Sequence, residues 1–224
     1  MSEMNADLVR KNKSLERVLK NIVECLIDNY KEMNQHSLPK QPEKTDLEGF
    51  LRNVYIQKYV RQNKRKYGLG HVLFLVETGE IDKKYHNSGY LDIQVLNINI
   101  EDVGNEDEYF TFECKRLENN AKNQAYIDNG ILRFVQNKYA KKMPFSGMIG
   151  FVEKAQKGIP LIASDLKLRI NKLPTTIKEF DSISQETGFE FSYRSKHNRI
   201  ENTPIELTHL LFDFEKILNS SSND

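Results

Sequence analysis

Apolar side chains in the first segment recur at steps of three and four residues, with charged residues between them. Between residues 3 and 34 they form one stripe: Leu8, Leu15, Val18, Leu19, Ile22, Val23, Leu26, Ile27 and Tyr30. This spacing predicts one helix, or two, with a single buried face. Residues 36–46 contain two prolines and no apolar period, so they predict a linker. The helix is expected to dock on the core or on a partner.

A second helical pattern begins at Thr45 and Asp46 and continues to the glycines near residue 68. Glu48 stands three residues after Thr45, which is the spacing of a capping box. Apolar residues then follow at helical steps: Phe50, Leu51, Val54, Tyr55 and Val60. The pattern predicts a helix that ends where the glycines interrupt it.

Three segments have the length and alternation of β-strands. They are residues 71–77 (HVLFLVE), 90–98 (YLDIQVLNI) and 109–117 (YFTFECKRL). In the second, Asp92 and Gln94 share a face, and in the third Glu113 and Lys115 share a face, because side chains alternate along a strand. The second and third strands are predicted to form a hairpin.

The remaining chain predicts further elements with less regular patterns. Residues 121–139 have helical spacing that Gly130 weakens, and residues 146–153 form an apolar run typical of a buried strand. Residues 161–170 fit either a strand or a helix, 189–199 fit a strand, and 205–218 fit a strand or a short helix. Strand, hairpin, helix and strand in this order indicate an α/β sandwich.

Composition narrows the protein class. The 224 residues are 38% hydrophobic and 29% charged, as in ordinary globular proteins. No apolar run approaches the ~20 residues of a membrane span, and the first residues lack the apolar core of a signal peptide, so a cytoplasmic location is expected. Cys25 and Cys114 are too few for a disulfide framework or a structural zinc site and are expected to be reduced.

The formal net charge of +1 excludes a polycation that coats nucleic acid without selectivity. Nucleic-acid contacts would therefore need local patches. One basic run comprises Arg52, Lys58, Arg61, Lys64, Arg65 and Lys66, and a second comprises Arg133, Lys138, Lys141 and Lys142. Arg61, Lys64, Arg133 and Lys138 are the candidate contacts to a phosphate backbone, and solvated helix faces are the alternative.

Two carboxylates and an ammonium lie on the predicted hairpin. Asp92 precedes Glu113 by twenty intervening residues, and Lys115 follows Glu113 by two. Phosphodiester hydrolysis uses such a group, since two carboxylates hold Mg²⁺ through oxygen ligands and the ion polarises the phosphate. The lysine would orient or deprotonate the attacking water. The alternative is a salt-bridged sheet face without chemistry.

The two strands resemble the paired motif of the PD-(D/E)XK nucleases, the restriction-endonuclease-like superfamily. LDIQV and FECKRL carry the resemblance, with Leu91 where the motif's name has proline, and the match spans residues 46–153, about half of the chain. It implies an α/β restriction-endonuclease-like core, with a central mixed β-sheet flanked by helices and an N-terminal helical extension. It also implies that Glu48 joins Asp92 and Glu113 as a metal ligand, and that Gln124 joins the catalytic residues. A helix cap remains the alternative for Glu48.

Other residues in the chain are alternatives to this group. Asp82-x-Lys84 and Asp165-x-Lys167 repeat the acid-x-lysine spacing, but the first lies in a predicted turn and the second lacks a suitable upstream carboxylate. His197 and His209 fit either phosphate contacts or an extra acid, or structural positions. Cys114 is expected to face the core, because it alternates with Glu113 and Lys115.

The sequence thus predicts a helical extension over residues 1–35, a linker over 36–45 and a nuclease domain over 46–224. The expected activity is Mg²⁺- or Mn²⁺-dependent cleavage of nucleic acid, most readily DNA. The segment from Tyr126 to Val152 resembles restriction-like proteins of bacterial antiphage systems, which implies an effector subunit of prokaryotic defence. Its partner would be a second copy or another protein, such as an ATPase or helicase, bound through the N-terminal helix. The alternative is a non-catalytic nucleic-acid-binding or assembly subunit that retains the nuclease fold.

Overall fold

A single long helix opens the computed structural model of the chain, which describes residues 3–43, 45–81, 87–97, 109–153, 158–201 and 203–221. This helix, α1, spans Glu3–Met33. Ile22, Leu26 and Met33 on its inner face are fully buried in the core that also contains the sheet. The hydroxyl of Tyr30 contacts the backbone of Asp213, donating to its carbonyl at 3.1 Å and accepting from its amide at 2.9 Å. Of the two alternatives, α1 therefore docks on the core.

The second helical run is α2 (Leu47–Val54), a π-helical segment (Tyr55–Val60), α3 (Arg61–Asn63) and a 3₁₀ turn (Lys64–Tyr67). The carboxylate of Asp46 accepts the amide of Gly49 at 2.9 Å and thereby caps α2. The predicted capping box of Thr45 and Glu48 is therefore wrong, because the neighbouring aspartate fills that role. Glu48 is left available for contacts outside its own helix.

In the described residues, seven strands form one mixed sheet in the order β1-β2-β3-β4-β7-β6-β5. They are β1 (Val72–Ile81), β2 (Asn87–Asn97), β3 (Tyr109–Leu117), β4 (Phe145–Val152), β5 (Thr176–Ser182), β6 (Ser192–Asn198) and β7 (Pro204–Asp213). β3, β4 and β7 run parallel, and the other neighbours are antiparallel. The predicted hairpin is present as β2 and β3. β5 escaped prediction because it is an edge strand that buries only Phe180.

Helices connect the strands and cover both faces of the sheet. They are α4 (Asn120–Tyr126), a second π-helical segment (Ile127–Ile131), α5 (Leu132–Val135), α6 (Ile159–Asn171), α7 (Ser184–Thr187) and α8 (Glu215–Ser221). The segment 161–170, left open as strand or helix, is helical, and 205–218 divides between β7 and α8. The helix predicted to reach residue 139 ends at Val135.

Two residues of β7 show how the layers are arranged. Phe212 stacks on Tyr30 of α1 with ring centroids 4.2 Å apart, and it meets Tyr55 edge-on. His209 contacts Tyr126 of α4. Because residues three apart on a strand point to opposite faces, α1 and the helical run 47–67 cover one face and α4 covers the other. The molecule is an α/β sandwich with its core on both sides of the sheet.

Among the helices of the described residues, none combines the length and the apolar character needed to cross a membrane.

Candidate active site

Three carboxylates converge on one ammonium group where α2 meets β2 and β3. The Nζ atom of Lys115 lies 2.9 Å from an oxygen of Glu113 and 3.3 Å from oxygens of both Glu48 and Asp92. Their side chains expose between 1% and 24% of their surface, so the group is largely shielded from bulk water. The structure therefore brings together four of the residues that the sequence singled out.

Strand geometry explains how two sequence-distant acids meet. Antiparallel pairing of Ile93 with Phe112 places the preceding Asp92 across from Glu113. Lys115 follows on the same face as Glu113, and Cys114 between them is fully buried on the other face. Burial raises the pKa of the Cys114 thiol well above its usual value. A thiol nucleophile is therefore excluded at this position.

Glu48 enters the site from the first turn of α2. One of its carboxylate oxygens accepts from Lys115, and the other accepts the backbone amide of Arg116 at 2.9 Å. The guanidinium of Arg116 in turn binds both oxygens of Glu153, whose side chain is nearly buried. The carboxylate of Glu48 thus ties the start of α2 to the end of β3, and one of its oxygens is directed at the ammonium.

Asp92 has a separate partner for each oxygen. Oδ2 accepts the backbone amide of Cys114 at 2.8 Å and lies near Lys115. Oδ1 accepts from Nη1 of Arg52 at 2.6 Å. The same guanidinium donates through Nη2 to Glu77 on β1. Asp92 is therefore held in one orientation from two sides.

Glu113 is the least exposed acid of the group, at 1% of its side chain. Its Oε1 contacts Lys115 and, at 3.4 Å, Nη1 of Arg133. No described residue supplies a hydrogen-bond donor to its buried Oε2. Burial and the neighbouring Asp92 raise its pKa to about 8, although Lys115 and Arg133 oppose the rise. A buried carboxylate oxygen without a partner is a costly arrangement that a bound cation would relieve.

Lys115 keeps its proton despite being buried. Burial lowers the pKa of its ammonium, but the carboxylates of Asp92, Glu113 and Glu48 raise it by more, so the net direction is upward. This balance favours a hydrogen-bond donor over a general base. Whether this lysine orients or deprotonates a water stays a prediction, and a protonated ammonium fits the first of these roles.

The donor set suits a hard divalent cation. Glu48, Asp92 and Glu113 offer carboxylate oxygens, which Mg²⁺ and Mn²⁺ prefer, and the buried Oε2 of Glu113 has no hydrogen-bond donor among the described residues. Among the described residues, no group of three or more His, Cys, Asp or Glu side chains is already spaced as a metal site. The ammonium of Lys115 lies between the three carboxylates, so a cation would have to share or displace those contacts.

Arg133 is the one predicted phosphate contact that reaches the site. Besides Glu113, its guanidinium donates to the hydroxyl of Tyr139 and lies 5.5 Å from the centre of that ring. The same hydroxyl donates to the carbonyl of Tyr90 at 2.9 Å. With its side chain one-third exposed, Arg133 links the buried acids to the protein surface.

Other predicted residues lie elsewhere. Gln124 points away from the acids, donating to Asp128 at 3.0 and 3.1 Å and accepting from Arg169 at 2.7 Å. Lys138 is exposed beyond the end of α5.

Two cations of the first basic run bind the edge of the sheet. Arg61 donates through Nε to the carbonyl of Phe74 at 2.8 Å, and Lys64 donates to the carbonyl of Val72. β1 is an edge strand with only one neighbour, so its outward backbone groups need other partners. These two side chains therefore have a structural role that their sequence neighbourhood did not show.

The rival acid-x-lysine segments do not form comparable groups. Asp165 on α6 accepts from Asn123 at 2.7 Å and from Arg169 at 2.8 Å. Lys167, two residues on, pairs instead with Asp181 at 2.9 Å, so the two side chains have different partners. Asp82 and Lys84 lie outside the described residues.

The two histidines are structural. Ser195 bridges them inside the core, with its hydroxyl 2.8 Å from Nε2 of His197 and 2.7 Å from Nε2 of His209. Tyr126 closes one end of this chain at 2.9 Å from His209, and Thr176 closes the other at 3.3 Å from His197. Burial lowers the pKa of His197 to about 4 and that of His209 well below its usual value. Neither ring is exposed to a substrate.

Sequence reasoning missed the roles of several site residues. The sequence pattern places Arg52 only in a basic run. It gives no indication of the roles of Glu77, Arg116 and Glu153. A local signal for Arg52 is its position on the buried face of α2. A charged side chain is rarely buried unless it is paired, so this position predicts an acidic partner. Comparison with protein-family models, with curated proteins and with solved structures gave no match to this chain.

Proposed function

We propose that this chain is a Mg²⁺- or Mn²⁺-dependent nuclease with a restriction-endonuclease-like fold. One observation carries the proposal: the oxygens of Glu48, Asp92 and Glu113 surround the Nζ atom of Lys115, while the second oxygen of Glu113 is buried without a donor. Such a group of acids with one lysine fits phosphodiester hydrolysis. The mixed sheet flanked by helices is compatible with that fold.

In this proposal, Glu48, Asp92 and Glu113 hold the cation through carboxylate oxygens. A cation held by these residues would polarise the phosphate and offset the negative charge on the leaving oxygen. Asp92 presents Oδ2 to the site, because Arg52 holds Oδ1 and the amide of Cys114 fixes the carboxylate plane. Glu48 presents Oε1 for the same reason, since the amide of Arg116 holds its other oxygen.

Lys115 remains protonated and donates a hydrogen bond, to the attacking water or to a nonbridging phosphate oxygen. Water then adds to phosphorus as the ester bond to the leaving oxygen breaks. The attacking water loses a proton to solvent water, and the leaving oxygen takes up a proton from solvent water. Arg133, at the rim of the site, is placed to bind the adjacent phosphate through the guanidinium nitrogens that do not contact Glu113. DNA as substrate, a role in prokaryotic antiviral defence, and a partner bound through α1 are proposals that rest on the motif resemblance alone.

The test is cleavage of duplex DNA, single-stranded DNA and RNA with Mg²⁺ or Mn²⁺, and with EDTA. Glu113→Gln should lower the cleavage rate by about 10²-fold or more, because it removes a charged ligand. Asp165→Asn is the matched control, since it alters the rival acid-x-lysine segment on α6. Gln124→Ala should likewise leave the rate unchanged, because its side chain binds Asp128 and Arg169. Cleavage that persists in EDTA, or that survives Glu113→Gln, would refute the proposal.

One observation favours a second candidate function. Lys115 already has three carboxylate partners, and Asp92 is paired with Arg52, so most charges of the group are balanced within the chain. A non-catalytic nucleic-acid-binding or assembly subunit that retains the nuclease fold would keep such a network for structure alone. It would bind nucleic acid with the same affinity in Mg²⁺ and in EDTA, and Glu113→Gln would change its stability without changing that affinity.

A further inference from the structure

Arg52 is a buried cation beside the proposed metal ligands. Only 5% of its side chain is exposed, although it stands in α2, one turn beyond Glu48. Its three guanidinium nitrogens have separate acceptors: Nη1 binds Asp92, Nη2 binds Glu77, and Nε binds Asn53 at 3.3 Å. A planar guanidinium with all its nitrogens engaged has little freedom to rotate. Arg52 therefore fixes the position of whatever it holds.

Arg52 holds Oδ1 of Asp92, the oxygen that does not contact Lys115. The 2.6 Å bond to Oδ1 turns Oδ2 toward the centre of the site, where it lies 3.3 Å from Lys115. Rotation of the Asp92 carboxylate would break both this bond and the bond from the Cys114 amide to Oδ2. Among the described residues, Oδ1 thus binds only the orienting arginine, whereas Oδ2 accepts the Cys114 amide and is also directed at the site.

Glu77 holds the opposite side of the same guanidinium. It lies on β1 between Val76 and Thr78, which pair with Ile93 and Leu91 of β2 and so place it across from Asp92. Its backbone has a φ of +53°, a left-handed conformation that residues other than glycine seldom adopt. Such a conformation persists where the surroundings impose it, and it is common at functional sites. The Glu77 side chain is 60% exposed, so water could solvate its carboxylate without the contact to Arg52.

We propose that Arg52, held by Glu77, is the positioning residue for the metal ligand Asp92, an inference that rests on the proposed function. Arg52 itself touches neither the cation nor the substrate. Its contribution is to keep Oδ2 of Asp92 directed at the cation, as hydrogen-bonding partners outside the ligand sphere do in metalloproteins.

The direction in which metal affinity changes when Arg52 is removed distinguishes orientation of Asp92 from simple electrostatics. A guanidinium next to a cation site repels the cation, so its removal by charge alone would strengthen metal binding. If Arg52 instead orients Asp92, its removal weakens metal binding even though a positive charge is lost. A purely structural role would change the stability of the protein and leave the affinity of the folded protein for metal unchanged.

The experiment is isothermal titration of the full chain with Mn²⁺, with thermal unfolding measured beside it. Arg52→Met should lower the Mn²⁺ affinity by about 10- to 100-fold. Arg52→Lys keeps the charge but not the planar three-point geometry and should fall between the wild type and Arg52→Met. Arg61→Met is the matched control, because that arginine belongs to the same helical run and binds a backbone carbonyl of β1. It should bind Mn²⁺ like the wild type.

Glu77→Gln covers the case in which Arg52→Met does not fold. Glu77 is mostly exposed, so the substitution should leave the unfolding temperature almost unchanged. Loss of the contact to Arg52 should weaken Mn²⁺ binding several-fold even at high ionic strength, which screens the exposed charge of Glu77 itself. Affinity equal to or tighter than wild type in Glu77→Gln or in folded Arg52→Met would overturn the inference while metal-dependent cleavage still supports the proposed function. A wild-type chain that neither binds Mn²⁺ nor cleaves would overturn both.

Discussion

At the scale of single residues, the proposed chemistry depends on the charged groups around Lys115. Three carboxylates within 3.3 Å keep this lysine protonated, in opposition to its burial. The pKa of Glu113 is raised to about 8, first because the side chain is buried and second because Asp92 lies beside it. A bound divalent cation would lower this pKa, because its positive charge favours the ionised carboxylate.

Lys115→Ala separates metal binding from catalysis. An ammonium has no lone pair to donate to a cation, so its removal should retain Mn²⁺ binding or strengthen it. The cleavage rate should nevertheless fall by about 10²-fold or more, because the donor to the water or phosphate is lost. Titration with Mn²⁺ and single-turnover cleavage on the same preparation measure the two effects. Loss of metal binding in this variant would show that the lysine organises the acids and has no separate catalytic role.

The buried histidines predict how stability depends on pH. The folded protein keeps His197 neutral down to about pH 4, whereas the unfolded chain takes up a proton at the ordinary value of 6.5. Between these values the unfolded state binds more protons, so the free energy of unfolding falls as the pH falls. This histidine alone should lower it by about 2 kcal/mol between about pH 7 and about pH 5.

Urea unfolding at the two pH values measures this effect in the wild type and in His197→Gln. The difference between the two pH values should be smaller in the variant by the contribution of His197. His36→Gln is the control, because His36 is exposed and should leave the difference unchanged. Equal pH dependence in the wild type and in His197→Gln would contradict the assignment of a neutral buried ring.

At the scale of elements, close packing between β3 and β4 sets the position of the site. β4 is buried along its whole length, and its glycines lie against large side chains of β3. A Cβ at Gly147 would fall 2.2 Å from the ring of Phe112, which is itself fully buried. Phe112 is adjacent to Glu113, so this contact fixes the strand segment that carries the acid.

Gly147→Ala should therefore destabilise the protein by about 1–3 kcal/mol through overpacking. Gly70→Ala adds the same methyl group where the nearest atom, in the side chain of Arg65, lies 3.9 Å away, and it should change stability by less than about 0.5 kcal/mol. Chemical denaturation of the two variants tests the difference. A Gly147→Ala protein as stable as Gly70→Ala would mean that β3 and β4 are less tightly packed than described.

At the scale of the whole molecule, α1 and the sheet share one core. Leu26 and Ile22 have no exposed surface, and the carbonyl of Leu26 accepts the buried hydroxyl of Tyr55. Residues 9–17 of α1 are more exposed, with Val9 at 53%. We therefore expect the proposed partner contact near the exposed Val9 and not at the buried residues from Leu19 onward.

Leu26→Ala should lower the free energy of unfolding by about 2–5 kcal/mol, because it leaves a cavity between α1 and the core. Val9→Ala, on the same helix, should change it by less than about 0.5 kcal/mol. Both proteins should unfold in one transition when followed by circular dichroism and by tyrosine fluorescence. Two separate transitions would indicate that α1 unfolds independently of the sheet.

Local periodicity determined much of this protein from the sequence. Alternation along the strands placed Glu113 beside Lys115 and turned Cys114 to the core, and the helical stripe of α1 identified its buried face. These inferences succeeded because the repeat of a strand or helix fixes the relative direction of side chains over a few residues, whatever the rest of the chain does.

The tertiary structure decided what periodicity leaves open. How a helix is rotated and placed on the sheet depends on packing between distant segments, so Gln124 could face Asp128 and Arg169 instead of the acids. Arg61 and Lys64 likewise bind an edge strand that only the sheet order defines. The pairing of Arg52 with Asp92 joins residues forty positions apart. Such contacts follow from the arrangement of whole elements, which no local repeat encodes.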